Sequence, residues 1–130
     1  MRILVDTNVL FSAILFPNSK PARALLKVVQ KHDMVLCEQN LAELREVIRR
    51  KAPEYLSDAE ALLRELSYEL IPVSHHAEKL IRDPKDQPIL NAAILANVDL
   101  LITGDKDFLV LKLEQPRCIT AAQFLEDYPI

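Results

Sequence analysis

Apolar residues fall along this chain in two rhythms, short unbroken runs and longer stretches with helical spacing. Ile3-Leu4-Val5 shows no polar alternation, as expected of a strand covered on both faces of a parallel sheet. Similar short runs at residues 34–37, 70–73, 100–102 and 118–119 predict four more strands. Pro72 cannot donate to a central ladder, so 70–73 is assigned to a sheet edge. Between these runs the spacing turns helical. Residues 9–15 predict a helix that ends in a turn at Phe16-Pro17-Asn18. Ser19 caps the next, with Pro21 in its first turn and Leu25, Leu26, Val28 and Val29 as its buried face.

Residues 39–51 carry Leu41, Leu44, Val47 and Ile48 at helical spacing, and Pro53 stops that helix. Ser57-Asp58-Ala59-Glu60 has the capping-box pattern, opening a helix through Leu62, Leu63 and Leu66. Ser74 caps a short helix reaching about residue 81. Residues 88–97 are apolar almost all round, which predicts a helix deeply buried or covered by a partner, and 120–127 close the chain as a helix. Strands alternating with helices imply an α/β fold, a three-layer α/β/α sandwich around a parallel four- or five-stranded sheet.

Composition narrows this without redirecting it. The chain has 130 residues, half of them apolar, which suits one domain over residues 1–130 with a sizeable core. Lys and Arg number 16 against 19 Asp and Glu, so any nucleic-acid contact must use a local basic patch rather than overall charge. No apolar run approaches the ~18 residues of a membrane span. The opening run is cut by Asp6, unlike a signal peptide. Cys37 and Cys118 lie in separate apolar segments and fit no metal or disulfide spacing, which points to buried thiols and a cytoplasmic protein.

The chemistry lies in the acids. Asp6 follows the first strand, Glu43 sits in the first turns of the helix after the second, and Asp105 follows the fourth. In a parallel sheet these positions share the carboxyl edge, where open α/β sheets place their ligands. Asp86 does not reach that edge by this rule, because it opens a helix that precedes a strand. Each acid also has a plain reading: Asp86 as a helix cap, Asp83 as a turn former before Pro84, Asp105 and Asp107 as turn residues after Gly104, Glu43 as a solvated helix residue. Asp6 resists one, since a carboxylate directly after a buried strand needs a partner. Two bare charges ~4 Å apart repel by about 4 kcal/mol at an effective dielectric near 20, so converging acids call for protons or a cation. Oxygen ligands without neighbouring His or Cys favour Mg²⁺ or Mn²⁺, and phosphodiester hydrolysis is the chemistry such an ion suits. The adjacent His75 and His76 point apart and are assigned to the surface.

These residues resemble the PIN-domain nucleases, over essentially the whole chain. The likeness rests on Val5-Asp6-Thr7-Asn8, on Glu43 within Leu41-Ala42-Glu43-Leu44, on Asp86 within Asp83-Pro84-Lys85-Asp86, and on Thr103-Gly104-Asp105-Lys106-Asp107. Length and element order are similar to stand-alone members, many of them VapC-type ribonuclease toxins of prokaryotic toxin–antitoxin pairs. The resemblance implies a carboxylate site binding Mg²⁺ or Mn²⁺ and cleaving RNA, with Asp6, Glu43, Asp86 and Asp105 as its metal-binding, catalytic acids. It implies hydrogen-bonding roles for Asn8 and Thr103, with Asp83 and Asp107 nearby or structural.

Arg45, Arg49, Arg50 and Lys51 form a basic run on the helix of Glu43. They read as a solvated face offset by Glu46 or, with Lys20, Arg23 and Lys106, as a grip on RNA phosphates. Rival classes fit less well. A haloacid-dehalogenase-like phosphatase needs a second Asp where Asn8 stands, and a receiver domain needs an acidic pair at the first strand and a phosphorylated Asp on a middle one. A catalytically silent PIN-like binding module, or a PIN nuclease in RNA processing rather than a toxin, remains as the alternative. The apolar 88–97 helix, with Phe11, Leu15 and Phe16, predicts a homodimer, and the family likeness implies an antitoxin partner.

Overall fold

A computed structural model describes residues 1–72, 87–111 and 113–129. Five strands, β1 (Arg2–Val5), β2 (Asp33–Cys37), β3 (Glu69–Ile71), β4 (Leu100–Ile102) and β5 (Arg117–Ile119), form one all-parallel sheet in the order β3-β2-β1-β4-β5. The helices are α1 (Thr7–Leu15), α2 (Lys20–Lys31), α3 (Glu38–Lys51), α4 (Leu56–Glu65), α5 (Gln87–Leu95), α6 (Lys106–Leu109) and α7 (Ala121–Asp127).

Period-two alternation sorts the strand residues into two cores. Ile3 and Val5, Met34 and Leu36, Leu100 and Ile102 face one side, where α1, α2, α3, α4 and α7 contribute Leu10, Val28, Leu44, Leu63 and Phe124. Leu4, Val35, Cys37 and Leu101 face the other, against Ile89, Leu90, Ala92 and Ala93 of α5 and Phe108 of α6. The three-layer α/β/α reading with a five-stranded sheet therefore holds. The chain builds outward from β1 to β3, then returns to lay β4 on the free side of β1. The strand order reverses between β1 and β4, and a crevice forms at such a point outside the carboxyl ends of the strands.

Several local expectations need correction. Ser57 lies inside α4 rather than capping it, because a 3-10 turn over Pro53–Tyr55 runs straight into the helix and makes Tyr55 its N-cap. On α2, Ala24, Leu25 and Val28 are buried, while Leu26 points to solvent one step beyond the apolar stripe. The edge strand covers Glu69–Ile71 and ends before Pro72. Helix α5 stops at Leu95, and Asn97 turns the chain with φ 53°, a left-handed conformation that asparagine tolerates. That helix is buried within the chain through Ile89, Leu90, Ala92 and Ala93, leaving only Ile94 and Leu95 as its exposed large apolar residues. Cys37 is buried and Cys118 half-buried. The Ser19 cap forms as expected, whereas Thr120, read as the first residue of the last helix, caps it from outside. The predicted 74–81 helix, with His75 and His76, lies outside the described residues.

Candidate active site at the β1–β4 crevice

Asp6 is the first residue past β1, and its backbone N–H continues the ladder to the Ile102 carbonyl at 2.9 Å. Its side chain turns back over α1, where Oδ1 accepts from the Thr7 N–H at 2.8 Å and so caps the helix. Oδ2 accepts from the Thr103 hydroxyl at 2.7 Å. Thr103 follows β4 directly, is wholly buried, and accepts in turn from the Asp105 N–H at 3.0 Å. One hydroxyl thus ties the carboxylate at the end of β1 to the loop that carries Asp105. Asp105 caps α6 by accepting from the Asp107 N–H at 2.9 Å.

A second set of bonds fixes Glu43, which is half-buried on the second turn of α3. Its Oε2 accepts from the Thr7 hydroxyl at 3.1 Å, and its Oε1 from the Gln39 amide at 2.9 Å. Asn40, wholly buried, donates to the Thr7 hydroxyl at 3.3 Å while accepting from the Cys37 N–H at 3.0 Å. The Thr7 hydroxyl thus accepts from Asn40 and donates toward Glu43, with the Asn40 backbone carbonyl at 3.4 Å as the longer alternative acceptor. Thr7, Gln39 and Asn40 carry no role in the sequence reading. For Gln39 and Asn40 the only signal was an amide in the first turn of a helix after a buried strand; Thr7 stood within the Val5-Asp6-Thr7-Asn8 motif without a role of its own.

Burial pushes the Asp6 carboxyl up to about 6, against the opposing pull of the Thr103 hydroxyl and the Thr7 N–H; the charges of Glu43 and Asp105 add to the rise. The ion pairs of the described residues, Arg2–Glu69, Arg45–Glu60, Arg49–Glu46 and Arg117–Asp127, include none of these three acids. A buried carboxylate raised by neighbouring carboxylates, in an all-oxygen setting, suits a hard divalent cation. Among the described residues no three His, Cys, Asp or Glu side chains stand close enough to hold an ion unaided. Asp83 and Asp86 lie outside those residues.

The raised acid has a consequence for stability. The folded chain holds the Asp6 proton more tightly than the unfolded chain, so this group stabilises the fold below its unfolded value near 4. The contribution drains away as pH rises to 6. The displacement corresponds to about 3 kcal/mol. In urea titrations of metal-free protein, wild type should lose roughly that much relative to Asp6→Asn between pH 4 and pH 7. A constant difference between the two would show that Asp6 ionises normally.

The remaining candidates spread along the surface. Asn8 is exposed beside Thr103 on the rim of the crevice, and Asp107 is half-buried on α6. Lys20, Arg23 and Lys106 are exposed. Arg45 pairs with Glu60 at 2.7 Å, and Arg49 with Glu46 at 3.4 Å. Arg49, Arg50 and Lys51 end α3, roughly 10 Å along its axis from Glu43 at 1.5 Å per residue, toward the opposite edge of the sheet.

A family model described as PIN domain matches residues 2–107. An uncharacterized protein of Methanocaldococcus jannaschii, MJ1680, is 26% identical over 122 residues, covering 88% of this chain and 77% of its own length. Among solved structures, the crystal structure of VapBC2 from Rickettsia felis bound to a DNA fragment from their promoter matches with a TM-score of 0.68 and 19% identity, over 92% of this chain and 97% of that one. That match speaks for the fold. The family match spans both strands of the crevice and every acid assigned to it, and the chain belongs to the PIN-domain family of nucleases.

Proposed function

We propose that this chain is a divalent-metal-dependent endoribonuclease, the toxin of a prokaryotic toxin–antitoxin pair. The observation that carries the reading is the buried Asp6 at the β1–β4 switch point, linked through Thr103 to the Asp105 loop and flanked by a Glu43 held at both oxygens. Asp6, Glu43, Asp86 and Asp105 would hold Mg²⁺ or Mn²⁺. When bound, the ion supplies Lewis acidity toward a phosphodiester. Thr103 and Thr7 keep two of those carboxylates aimed without adding charge of their own. Asn8 would meet the substrate from the rim, and Asp83 and Asp107 would act from outside the ligand set.

Among the described residues, Lys20 and Lys106 are placed to meet RNA phosphates near the acids; Arg45, Arg49, Arg50 and Lys51 would meet a strand only farther along. The fold shared with VapBC2 supports the toxin assignment and an antitoxin partner, and we place the protein in the cytoplasm. No helix of the described residues is long and apolar enough to cross a membrane. Exposed Ile94 and Leu95 on α5, with Phe16, supply apolar surface for a homodimer. Sedimentation at micromolar concentration should show two copies, and a monomer there removes the dimer.

The test is cleavage of mixed-sequence RNA by the purified protein with Mg²⁺ or Mn²⁺, repeated in EDTA. Internal cuts that stop on chelation support the reading, whereas cuts indifferent to chelation, or none with either ion, overturn it. The second reading, a silent PIN-like binding module, draws on the lack of a complete acidic cluster among the described residues. It predicts RNA or partner binding with no cuts and no rise in melting temperature on adding Mn²⁺.

A further inference from the structure

Gly104 is the one glycine of the chain, and nothing in the fold asks for it. Its φ is not positive, so the backbone there suits any residue, and a Cβ built on it meets no atom within 4 Å. A glycine costs folding entropy that alanine would not. Where neither conformation nor packing requires it, a glycine leaves the main chain open to close approach by something outside the fold.

The surroundings say what that is. Gly104 and Thr103 form the floor of a cleft of about 270 Å³ that runs between the starts of α1, α2 and α7. It adjoins the acidic crevice, because Thr103, which lines it, binds Asp6, and Gly104 is followed by Asp105. The walls are mostly apolar, with Val9, Pro21 and Ala122, while Asn8, Ser12 and Lys20 provide an amide, a hydroxyl and an ammonium. An apolar slot with a few polar groups and one cation, opening beside a phosphodiester-cleaving centre, matches a nucleoside and its phosphate. Its volume is near the lower end of small-molecule sites, the scale of one nucleotide rather than a duplex.

We propose that this cleft seats the nucleotide adjoining the scissile phosphate of an RNA strand, with the base between the walls, Lys20 on a phosphate, and the sugar–phosphate chain passing directly over Gly104. The proposal rests on the ribonuclease reading for the identity of the strand, but its test does not need turnover. A fluorescein-labelled single-stranded RNA hexamer of mixed sequence serves as the probe, bound in EDTA to protein carrying Asp6→Asn, so that no cutting occurs. Gly104→Val should weaken binding at least tenfold, and Ala122→Trp, which fills the cleft from an exposed position, should do the same. Lys20→Ala should weaken it less and flatten the salt dependence by about 0.7 in log–log slope, the value for one phosphate of a single strand.

Gly104→Ala should keep or raise the melting temperature, which a glycine required by the fold would not permit. Hexamer binding undisturbed by both Gly104→Val and Ala122→Trp overturns the cleft, as does a clear fall in melting temperature for Gly104→Ala. Failure of the two readings looks different. A hexamer that binds in the cleft but is never cut by wild type with Mn²⁺ sinks the nuclease alone, and cutting untouched by the cleft variants sinks the cleft alone.

Discussion

Asp6→Asn is expected to lower metal-dependent RNA cleavage on the order of 10²–10³-fold while leaving the chain folded, the scale seen when one electrostatic group of an active site is removed. The substitution takes away one negative charge and one of two acceptor oxygens at the acid that, among the described residues, is the only one buried. The structural cost is small. Asparagine is as good a helix N-cap as aspartate, its oxygen can still accept from Thr7 or Thr103, and the burial penalty on a charged Asp6 disappears. Rate and stability should therefore part company, with turnover collapsing at saturating Mn²⁺ while the melting temperature at pH 7 holds or rises. Mn²⁺ itself should raise the melting temperature of wild type and do little for the variant. A variant that cuts RNA at the wild-type rate would detach Asp6 from the chemistry.

The second large effect lies in packing. Phe108 is among the largest fully buried side chains, set in the cluster with Leu4, Val35, Leu90 and Leu101. Its helix, α6, has four residues, far too few to persist alone, and Phe108 anchors it. Phe108→Ala should cost about 3–5 kcal/mol in urea unfolding. The loss should also reach activity, because the N–H groups of Asp107, Phe108 and Leu109 bond back to Asp105 and set where its carboxylate points. Phe108→Leu keeps most of the volume and should cost less than half as much, with cleavage largely retained. Equal cleavage by the alanine and leucine variants, once both are folded, would separate α6 from the placement of Asp105.

Much of this was legible in residues 1–10 and 100–107. A strand without alternation followed at once by a carboxylate points to a central strand, and β1 lies at the middle of the sheet. The cap signalled by Ser19 could be read because it acts within four residues of itself. Ser57 misled because a local pattern was overtaken by the turn that Pro53 starts just upstream. Leu26 misled because a run of apolar residues does not say which of them lies off the stripe. Bringing Asp6, Glu43 and Asp105 to one edge needed only the rule that parallel strands share a direction. The hydroxyl and amide contacts that hold them did not follow from it. Thr7 meets Asn40 and Glu43, and Asp6 meets Thr103, only because β1 lies between β2 and β4, and no local signal carries that order.

The return of β4 to the open side of β1 also sets a sequence in time. While the chain is being made, β1, β2 and β3 can associate and Glu43 can find Thr7, but one flank of β1 stays bare and Asp6 lacks the hydroxyl that steadies it. β4 closes that flank, covering the exposed ladder of β1 and bringing the Thr103 hydroxyl to Asp6. The strand that covers β1 thus also delivers the hydroxyl that holds Asp6, so the acidic crevice is not set before β4 docks.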